Sequence, residues 1–374
     1  MFLKTGKTKR PKVLVAMSGG VDSSVAAALL QRDGYDVVGC FMRLGSDDSL
    51  EKADSCDTRQ PHQQGCCSVN DASDARHVAA LLDVPFYVMN FKKDFGRIID
   101  YFVDEYNAGR TPNPCVRCND WLKFGKLHDY AQSIDCDFIA SGHYARIARD
   151  DHDRALLLRG LDHHKDQSYV LFGSPRDRLD HMLLPIGDME KSEVRQIAHD
   201  LNLPVFDKPD SQEICFVHDN DYAKLVEQRT PGGFAPGEIL DTQGNVVGQH
   251  SGQQHFTLGQ RRGVGVALGY PIYVTHKNPK TNTVTVGSQE DLLATQCTAD
   301  QTNWLIDQPP TDWRDCHLKI RYNSAPAPGQ VRCPDEKTLE ARFDPPVSAV
   351  TSGQAIVCYD QEQVLGGGWI VNAS

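Results

Sequence analysis

The sequence SGGVDSS at residues 18–24 decides the fold of the first part of the chain. A short apolar run, KVLVAM at residues 12–17, precedes it, and small residues at helical spacing follow it over residues 21–30. An apolar run that ends at Ser-Gly-Gly is typical of a buried parallel strand, and the spacing after it is typical of a helix. We therefore predict a strand, a tight turn and a helix in that order.

The same seven residues have the chemistry of a phosphate-binding loop. Glycines allow backbone N–H groups to approach an anion closely, and a helix N-terminus adds unpaired donors and the positive end of the helix dipole. Ser18, Ser23 and Ser24 add hydroxyl donors, and Asp22 can fix the loop or hold Mg²⁺ beside the phosphates. The sequence lacks the Gly-Lys-Ser/Thr ending of a Walker A loop and the dinucleotide spacing G-x-G-x-x-G. An ordinary capped turn is the alternative, and seven matching residues in this context argue against it.

The composition predicts a globular protein of several domains. At 374 residues the chain is too long for one simple core, which favours two or three domains. Hydrophobic residues make up 40% of the chain, but no apolar run is long enough to span a bilayer. The basic N-terminus lacks the apolar core of a signal peptide. We therefore expect a cytoplasmic protein with no membrane partner.

The net charge of −11 argues weakly against a polynucleotide partner, because nucleic-acid-binding proteins neutralise phosphates with basic side chains. Basic residues are nevertheless grouped at residues 4–12 and at Arg261 and Arg262. A basic cleft on an acidic protein therefore remains open.

The pattern of apolar residues divides the chain into three regions. Strands predicted at residues 37–44, 85–91 and 137–141 alternate with helices, including one at residues 71–82, which indicates a parallel α/β sheet. From about residue 217 the chain is turn-rich, with a hairpin predicted at residues 237–247 and short strands at residues 266–286. Two alternating segments, at residues 317–322 and 338–343, and two segments that follow one another at once, at residues 354–359 and 363–371, then predict a small antiparallel barrel. The predicted domains are residues 1–217, 218–286 and 287–374.

Twelve cysteines in a long chain without a signal peptide indicate reduced thiols. Cys40, Cys136 and Cys358 lie in apparent strands or helices, where a thiol is usually a buried small hydrophobe. Cys118 and Cys215 lie in polar contexts that favour reactive thiols. The polar segment 45–70, which holds Cys56, Cys66 and Cys67, is predicted to be a surface loop in preference to a metal site.

The segment RTPNPCVRCN at residues 110–119 places two cysteines after two prolines. Pro112 and Pro114 predict an extended segment before Cys115 and Cys118. The spacing of the two thiols fits half of a zinc site, and it equally fits the presentation of one reactive thiol.

Six motifs in order carry a resemblance to a known family. SGGVDSS, GRTPNPCVRCN, SGHYAR, KDQSYVLF, DSQEICF and FTLGQRRG extend from about residue 18 to residue 265. Together they resemble the tRNA-specific 2-thiouridylase family, the MnmA/TrmU type. The resemblance implies a Rossmann-like ATP-pyrophosphatase (PP-loop) domain of α/β class, a small central domain that contacts tRNA and a C-terminal antiparallel β-barrel. The barrel region matches the family in length and β-rich character more than in motif.

The family mechanism implied by this resemblance uses ATP, Mg²⁺ and two cysteines. ATP adenylates the C2 oxygen of the wobble uridine in tRNAs for Lys, Glu and Gln, and AMP and pyrophosphate are released. Cys215 matches the cysteine that takes sulfur as a persulfide from a donor protein, and Cys118 matches the nucleophile, so that a Cys118–Cys215 disulfide would close the cycle. Cys115 stands where some members have Asp, which makes an acid–base role there doubtful. We expect a monomer.

The family motifs also assign binding residues. For ATP they are Ala16, Met17, Ser18, Gly19, Gly20, Val21, Asp22, Ser23, Met42 and Gly142. For tRNA and its target base they are Asn113, Pro114, Cys115, His143, Lys165, Asp166, Gln167, Arg321, Tyr322 and Gln354. A packed histidine at position 143 and a solvated charge at position 165 are the alternatives to RNA contact.

Three other functions remain open on the residues themselves. An amide- or nitrogen-ligating pyrophosphatase would share the loop but would not need the cysteine pair. An iron–sulfur sulfurase could hold a [4Fe-4S] cluster on Cys115, Cys118 and Cys215, with one iron open. A non-catalytic tRNA-binding module would not need an intact phosphate loop.

Overall fold

The computed structural model describes residues 10–45, 69–210, 214–217 and 221–374. Cys56, Cys66 and Cys67 and most of the predicted loop that contains them lie outside these ranges. The chain divides into two compact units, Met1–Gly96 with Cys118–Phe216 and Arg97–Arg117 with Val217–Ser374. The segment 97–117 therefore belongs with the carboxyl-terminal half of the chain, a division that the sequence pattern did not predict.

A parallel sheet forms the centre of the first unit. Its strands are β1 (Lys12–Ala16), β2 (Asp36–Arg43), β3 (Phe86–Asn90), β4 (Phe138–Ser141) and β7 (Met182–Leu183). They pair in the order β3-β2-β1-β4-β7. Val13, Leu14 and Val15 of the central strand have no exposed surface, as expected for a parallel strand covered on both faces. The predicted α/β architecture is confirmed.

Helices and one hairpin complete the first unit. A hairpin, β5 (Ala145–Arg149) with β6 (Ala155–Arg159), follows the fourth strand. The helices are α1 (Val21–Arg32), α2 (Val69–Leu81), α3 (Lys92–Asn107, which continues into the second unit), α5 (Leu127–Ser133) and α6 (Lys191–Asp200), with 3₁₀ turns at Ser168–Leu171 and Arg176–His181. Residues 23–30 of α1 are all buried, and its alanines let neighbouring elements approach closely.

The central part of the second unit is a four-stranded sheet with one helix. Its elements are α7 (Tyr222–Arg229), β8 (Gly237–Leu240), β9 (Val246–His250), β10 (Tyr273–Asn278) and β11 (Thr283–Gly287), with strand order β10-β11-β8-β9. The predicted hairpin is present, and its turn is held by Asp241, whose Oδ1 accepts the N–H groups of Gln243 and Asn245. Gly244 there has φ +86°, which favours glycine.

Six antiparallel strands form the carboxyl-terminal barrel. They are β12 (Leu293–Trp304), β13 (Arg314–Lys319), β14 (Ala327–Arg332), β15 (Leu339–Ser348), β16 (Ala355–Asp360) and β17 (Gln363–Ala373). The barrel closes because β12 pairs with both β15 and β17. The predicted strand at residues 317–322 ends early, at Lys319, so Arg321 and Tyr322 lie in the turn that follows.

The proline-rich segment is extended only as far as Asn113. Pro114 is the first residue of the short helix α4 (Pro114–Arg117), and the Oδ1 of Asn113 accepts the N–H of Val116 as an N-terminal cap. Cys115 therefore lies in a helical turn, and the extended segment predicted before it is shorter than expected. A π-helix, Cys118–Lys126, continues from α4.

No helix in the described ranges combines the length and the apolar character needed to cross a membrane.

Candidate functional site

The loop 18–24 lies at the carboxyl ends of β1 and β4, where the strand order of the sheet reverses. Ligands of open α/β sheets bind at such a switch point. The Oγ of Ser23 accepts the N–H of Ser18 at 3.1 Å, and the hydroxyl of Ser24 donates to the Gly20 carbonyl at 2.8 Å. Gly19 has φ +76°, a conformation that favours glycine, and it packs against the backbone of Asp71. A larger residue here would be strained by its backbone conformation and would also clash with Asp71.

Gly142, at the end of β4, packs against the other side of the loop. A Cβ at this position would lie 2.5 Å from the carbonyl carbon of Asp22 and 2.5 Å from the nitrogen of Ser23. We predicted that this glycine lets ATP approach. In the structure, glycine is needed at this position because any side chain would clash with the backbone of the loop.

Asp22 belongs to a chain of ion pairs within the first unit. Its carboxylate accepts the hydroxyl of Tyr144 at 2.8 Å and is 2.8 Å and 2.9 Å from the Nζ of Lys191. Lys191 is also 2.7 Å from Asp210, which accepts Lys165 at 2.8 Å. Burial, and secondly the charge of Asp22, raise the pKa of Tyr144, which keeps its hydroxyl protonated as a donor.

Lys208 joins the loop to the start of α2. Its Nζ donates to the Gly19 carbonyl at 2.9 Å, to Asp71 at 2.6 Å and to Asp74 at 2.6 Å. Burial lowers the pKa of Lys208, but the hydrogen bonds that it donates to Asp71 and Asp74, together with their charges, outweigh burial and leave the pKa raised. Lys208 and Lys191 were not among the predicted site residues.

His143 is buried beside the loop, with 7% of its surface exposed. Its Nδ1 is 2.6 Å from the Oγ of Ser141, and its Nε2 is 3.4 Å from the Nζ of Lys123. Burial, and secondly Lys123, hold its pKa well below the usual value, so the ring is neutral at pH 7. The packed histidine is the arrangement seen here, and contact with tRNA stays a prediction.

The Lys165-Asp166-Gln167 segment makes internal contacts. The Oδ1 of Asp166 accepts the N–H groups of Gly160 and Ser168, and its Oδ2 accepts Arg159. The Oε1 of Gln167 accepts the N–H of Tyr144 at 2.9 Å. Asp166 and Gln167 thus shape the loop, while Lys165 pairs with Asp210. Their predicted RNA contacts are untested.

The two predicted catalytic cysteines belong to the same unit. Cys118 is half-buried at the first position of the π-helix, a helix type often found at functional sites. Cys215 is half-buried, and Phe216 beside it stacks edge-to-face on Phe95 at 5.5 Å. Cys115, in the second unit, is exposed.

The three cysteines predicted to be buried hydrophobes are buried. Burial raises the pKa of Cys40 to about 12 and also raises the pKa of Cys136. Cys358 lies in the barrel core, where hydrogen bonding to Cys316 and burial raise its pKa. These thiols stay protonated at neutral pH and make poor nucleophiles.

The remaining predicted residues divide between the units. Met42, at the end of β2, is half-buried opposite Met89. In the second unit the amide of Gln354 contacts Asn113 and its neighbours, and the Nη2 of Arg321 donates to the Ala349 carbonyl at 2.6 Å. Tyr322 is 37% exposed.

Within the described ranges no group of three or more His, Cys, Asp or Glu side chains is arranged to hold a metal ion. Mg²⁺ commonly binds one or two carboxylates together with substrate phosphates. The carboxylate of Asp22 is the loop group of this type, and in the structure both of its oxygens accept from Lys191.

Known proteins match nearly the whole length of the chain. Three family profiles match in order: the tRNA methyl transferase HUP domain over residues 11–219, the tRNA methyl transferase PRC-barrel domain over residues 226–288 and the aminomethyltransferase beta-barrel domain over residues 294–370. The chain is 48% identical to the tRNA-specific 2-thiouridylase MnmA of Rhodopirellula baltica, over 97% of this chain and 96% of that protein. It is 44% identical to the protein of the same name from Desulforamulus reducens, over 96% of each. The profiles confirm the predicted order of a Rossmann-like, a central and a barrel domain.

Proposed function

Because the chain belongs to the tRNA-specific 2-thiouridylase family, we propose that it catalyses 2-thiolation of the wobble uridine of tRNA at the expense of ATP. The observation that carries the proposal is the loop 18–24 at the sheet switch point, in the same unit as two half-buried cysteines. Its expected products are 2-thiouridine, AMP and pyrophosphate. A cytoplasmic location and a monomeric state remain predictions.

The loop supports the activation step. The loop leads directly into α1, and the N-terminus of a helix favours negative charge through the helix dipole and its first N–H groups. The uridine C2 oxygen attacks the α-phosphorus of ATP, a C2–O–P bond forms, and pyrophosphate leaves. A Mg²⁺ ion beside Asp22 would supply charge neutralisation for the phosphates.

The cysteines support the sulfur-transfer step. The terminal sulfur of a Cys215 persulfide bonds to C2, and AMP leaves with the former C2 oxygen. The Cys118 thiolate then attacks the Sγ of Cys215, so a Cys118–Cys215 disulfide forms and the sulfur stays on the base as 2-thiouridine. An external thiol reduces the disulfide and a sulfur-donor protein restores the persulfide.

Thiolation of an unmodified tRNA transcript with ATP and a persulfide donor tests the proposal. We expect Cys215→Ser and Cys118→Ser to form no 2-thiouridine, and we expect the buried-thiol control Cys136→Ala to retain activity. Full product from Cys215→Ser would refute the persulfide assignment. AMP release that depends on tRNA separates this function from a simple tRNA-binding module, and visible absorption of anaerobically purified protein tests the iron–sulfur alternative.

A further inference from the structure

The segment that precedes Cys118 is docked on the carboxyl-terminal barrel within the second unit. The N–H of Thr111 donates to the Ser352 carbonyl at 3.0 Å. The Nε2 of Gln354 donates to the carbonyls of Thr111 at 3.2 Å and of Pro112 at 2.9 Å. Gly353 has φ +86°, and a Cβ there would lie 2.8 Å from the Thr111 carbonyl oxygen. Glycine at this position therefore allows the backbones to approach closely.

The carboxyl end of the segment is held by a buried cation. Arg117 is 9% exposed, and its guanidinium lies 3.8 Å from the ring centroid of Trp369 and 5.3 Å from that of Tyr101. Its Nη2 donates to the Oε1 of Gln301 at 2.7 Å. A planar guanidinium that stacks on an indole and donates to an amide has one orientation, because both contacts depend on the plane of the group.

The barrel is locally distorted where it meets this cation. Gln301 has φ +45°, which is uncommon for a residue other than glycine. The register of β12 against β17 shifts between Asp300 and Asn303, around the same residue. Bulges of this kind re-aim a side chain, and strained backbone persists where its surroundings hold it in place. Here the re-aimed side chain is the one that accepts Arg117.

We propose that Gln301, Gln354 and Trp369, which we name the barrel clamp, hold residues 111–117 in position for the reaction. The clamp fixes Asn113–Cys115, the segment expected to meet the target base, and it fixes Arg117, the residue peptide-bonded to Cys118. This inference rests on the proposed function for the roles of those residues. It makes Arg117 and Gln354 positioning residues, whereas the family resemblance gives Gln354 a contact with tRNA and gives Arg117 no role.

The test compares Arg117→Ala with Arg342→Ala. Arg342, an exposed residue of the same barrel, lies 4.0 Å from the ring centroid of Trp313 and serves as a cation–π control outside the clamp. Displacing reacting groups by about 1 Å can cost about 100-fold in rate, so we expect Arg117→Ala to lower single-turnover thiolation at saturating tRNA by about 10-fold or more. We expect tRNA affinity to change less than about 2-fold, since a residue this buried does not meet RNA. Arg342→Ala should react at the wild-type rate.

Alkylation by iodoacetamide gives a readout that does not depend on catalysis. We expect Arg117→Ala to change the labelling rate of Cys118, which is half-buried in the wild type, and to leave that of Cys215 unchanged. If the alanine variant does not fold, Gln301→Ala removes a single hydrogen-bond acceptor and should shift both readouts in the same direction. Wild-type thiolation and labelling in these variants would overturn the inference, as would a loss confined to tRNA affinity. An active Cys118→Ser would instead refute the proposed function, while the labelling rates would still decide whether the clamp exists.

Discussion

Replacing Lys208 by methionine should release the phosphate loop while keeping most of the apolar side chain. The Nζ of Lys208 holds the Gly19 carbonyl and two carboxylates, and the side chain of Asp71 is only 10% exposed. Removing the cation takes the Lys208 ion pair from this carboxylate, and a lost hydrogen bond to a charged group costs about 1.5–3 kcal/mol. Asp74, at 40% side-chain exposure, is screened by solvent and should add little.

The expected magnitude is about 2 kcal/mol, which corresponds to about 30-fold in an equilibrium constant. If the lost free energy destabilises only the loop, the KM for ATP, measured in tRNA-dependent AMP release, should rise by up to about 30-fold. The Tm should then change little. The control is Lys126→Met, which removes a partly exposed pair with Asp94 at 3.9 Å and should change neither quantity.

A double variant decides whether the electrostatic explanation is correct. In Lys208→Met with Asp71→Asn the buried charge is gone as well as its partner, and replacing both members of a buried pair is often nearly neutral. We therefore expect the double variant to recover much of the ATP affinity that the single variant loses. Additive losses in the two variants would refute this account of the loop, as would an unchanged KM in Lys208→Met.

Two further changes test the other contacts of the loop. Gly142→Ala places a Cβ 2.5 Å from the backbone of Asp22, and overpacking of this kind costs about 1–3 kcal/mol. The KM for ATP should therefore rise about 10-fold. The control is Gly96→Ala, whose Cβ has open space and which should leave the KM unchanged. Burial and Lys123 hold the pKa of His143 below its usual 6.5, so the unfolded chain binds the proton more readily and stability should fall as pH drops below about 6.5. His143→Asn should flatten this part of a plot of Tm against pH, and an unchanged slope would show that other groups cause it.

The sequence was sufficient for features that depend on neighbouring residues. The loop 18–24 was predictable because strand, glycines and helix follow one another directly. The hairpin at residues 237–247 was predictable because Asp241 and Gly244 make the turn within a few residues. Part of β15 was predictable because alternate residues at its start are buried, whereas β12 and β14 were not predicted.

Contacts between distant residues were not predictable in the same way. Lys208 is 189 residues from Gly19, and Lys191 is 169 residues from Asp22. A lysine in a polar segment has the same local pattern whether it faces water or closes such a contact. For the same reason the sequence did not predict that residues 97–117 belong to the second unit. The residue that accepts the hydrogen bond of Arg117, Gln301, follows it by 184 positions.

The proposed function requires a chain of net charge −11 to bind a triphosphate at the loop 18–24, and the lysines around the loop offset its carboxylates. Carboxylates that crowd the phosphate loop would repel a triphosphate by several kcal/mol if they were unpaired, since charges about 4 Å apart near a protein surface interact with about 4 kcal/mol. Each of these carboxylates is paired, so four acidic side chains around the loop meet four basic ones. They are Asp22, Asp71, Asp74 and Asp210 with Lys165, Lys191, Arg195 and Lys208. The net charge of the whole chain therefore says little about the loop. The charged side chains around it nearly cancel, so the helix N-terminus is expected to set the sign of the local electrostatic potential.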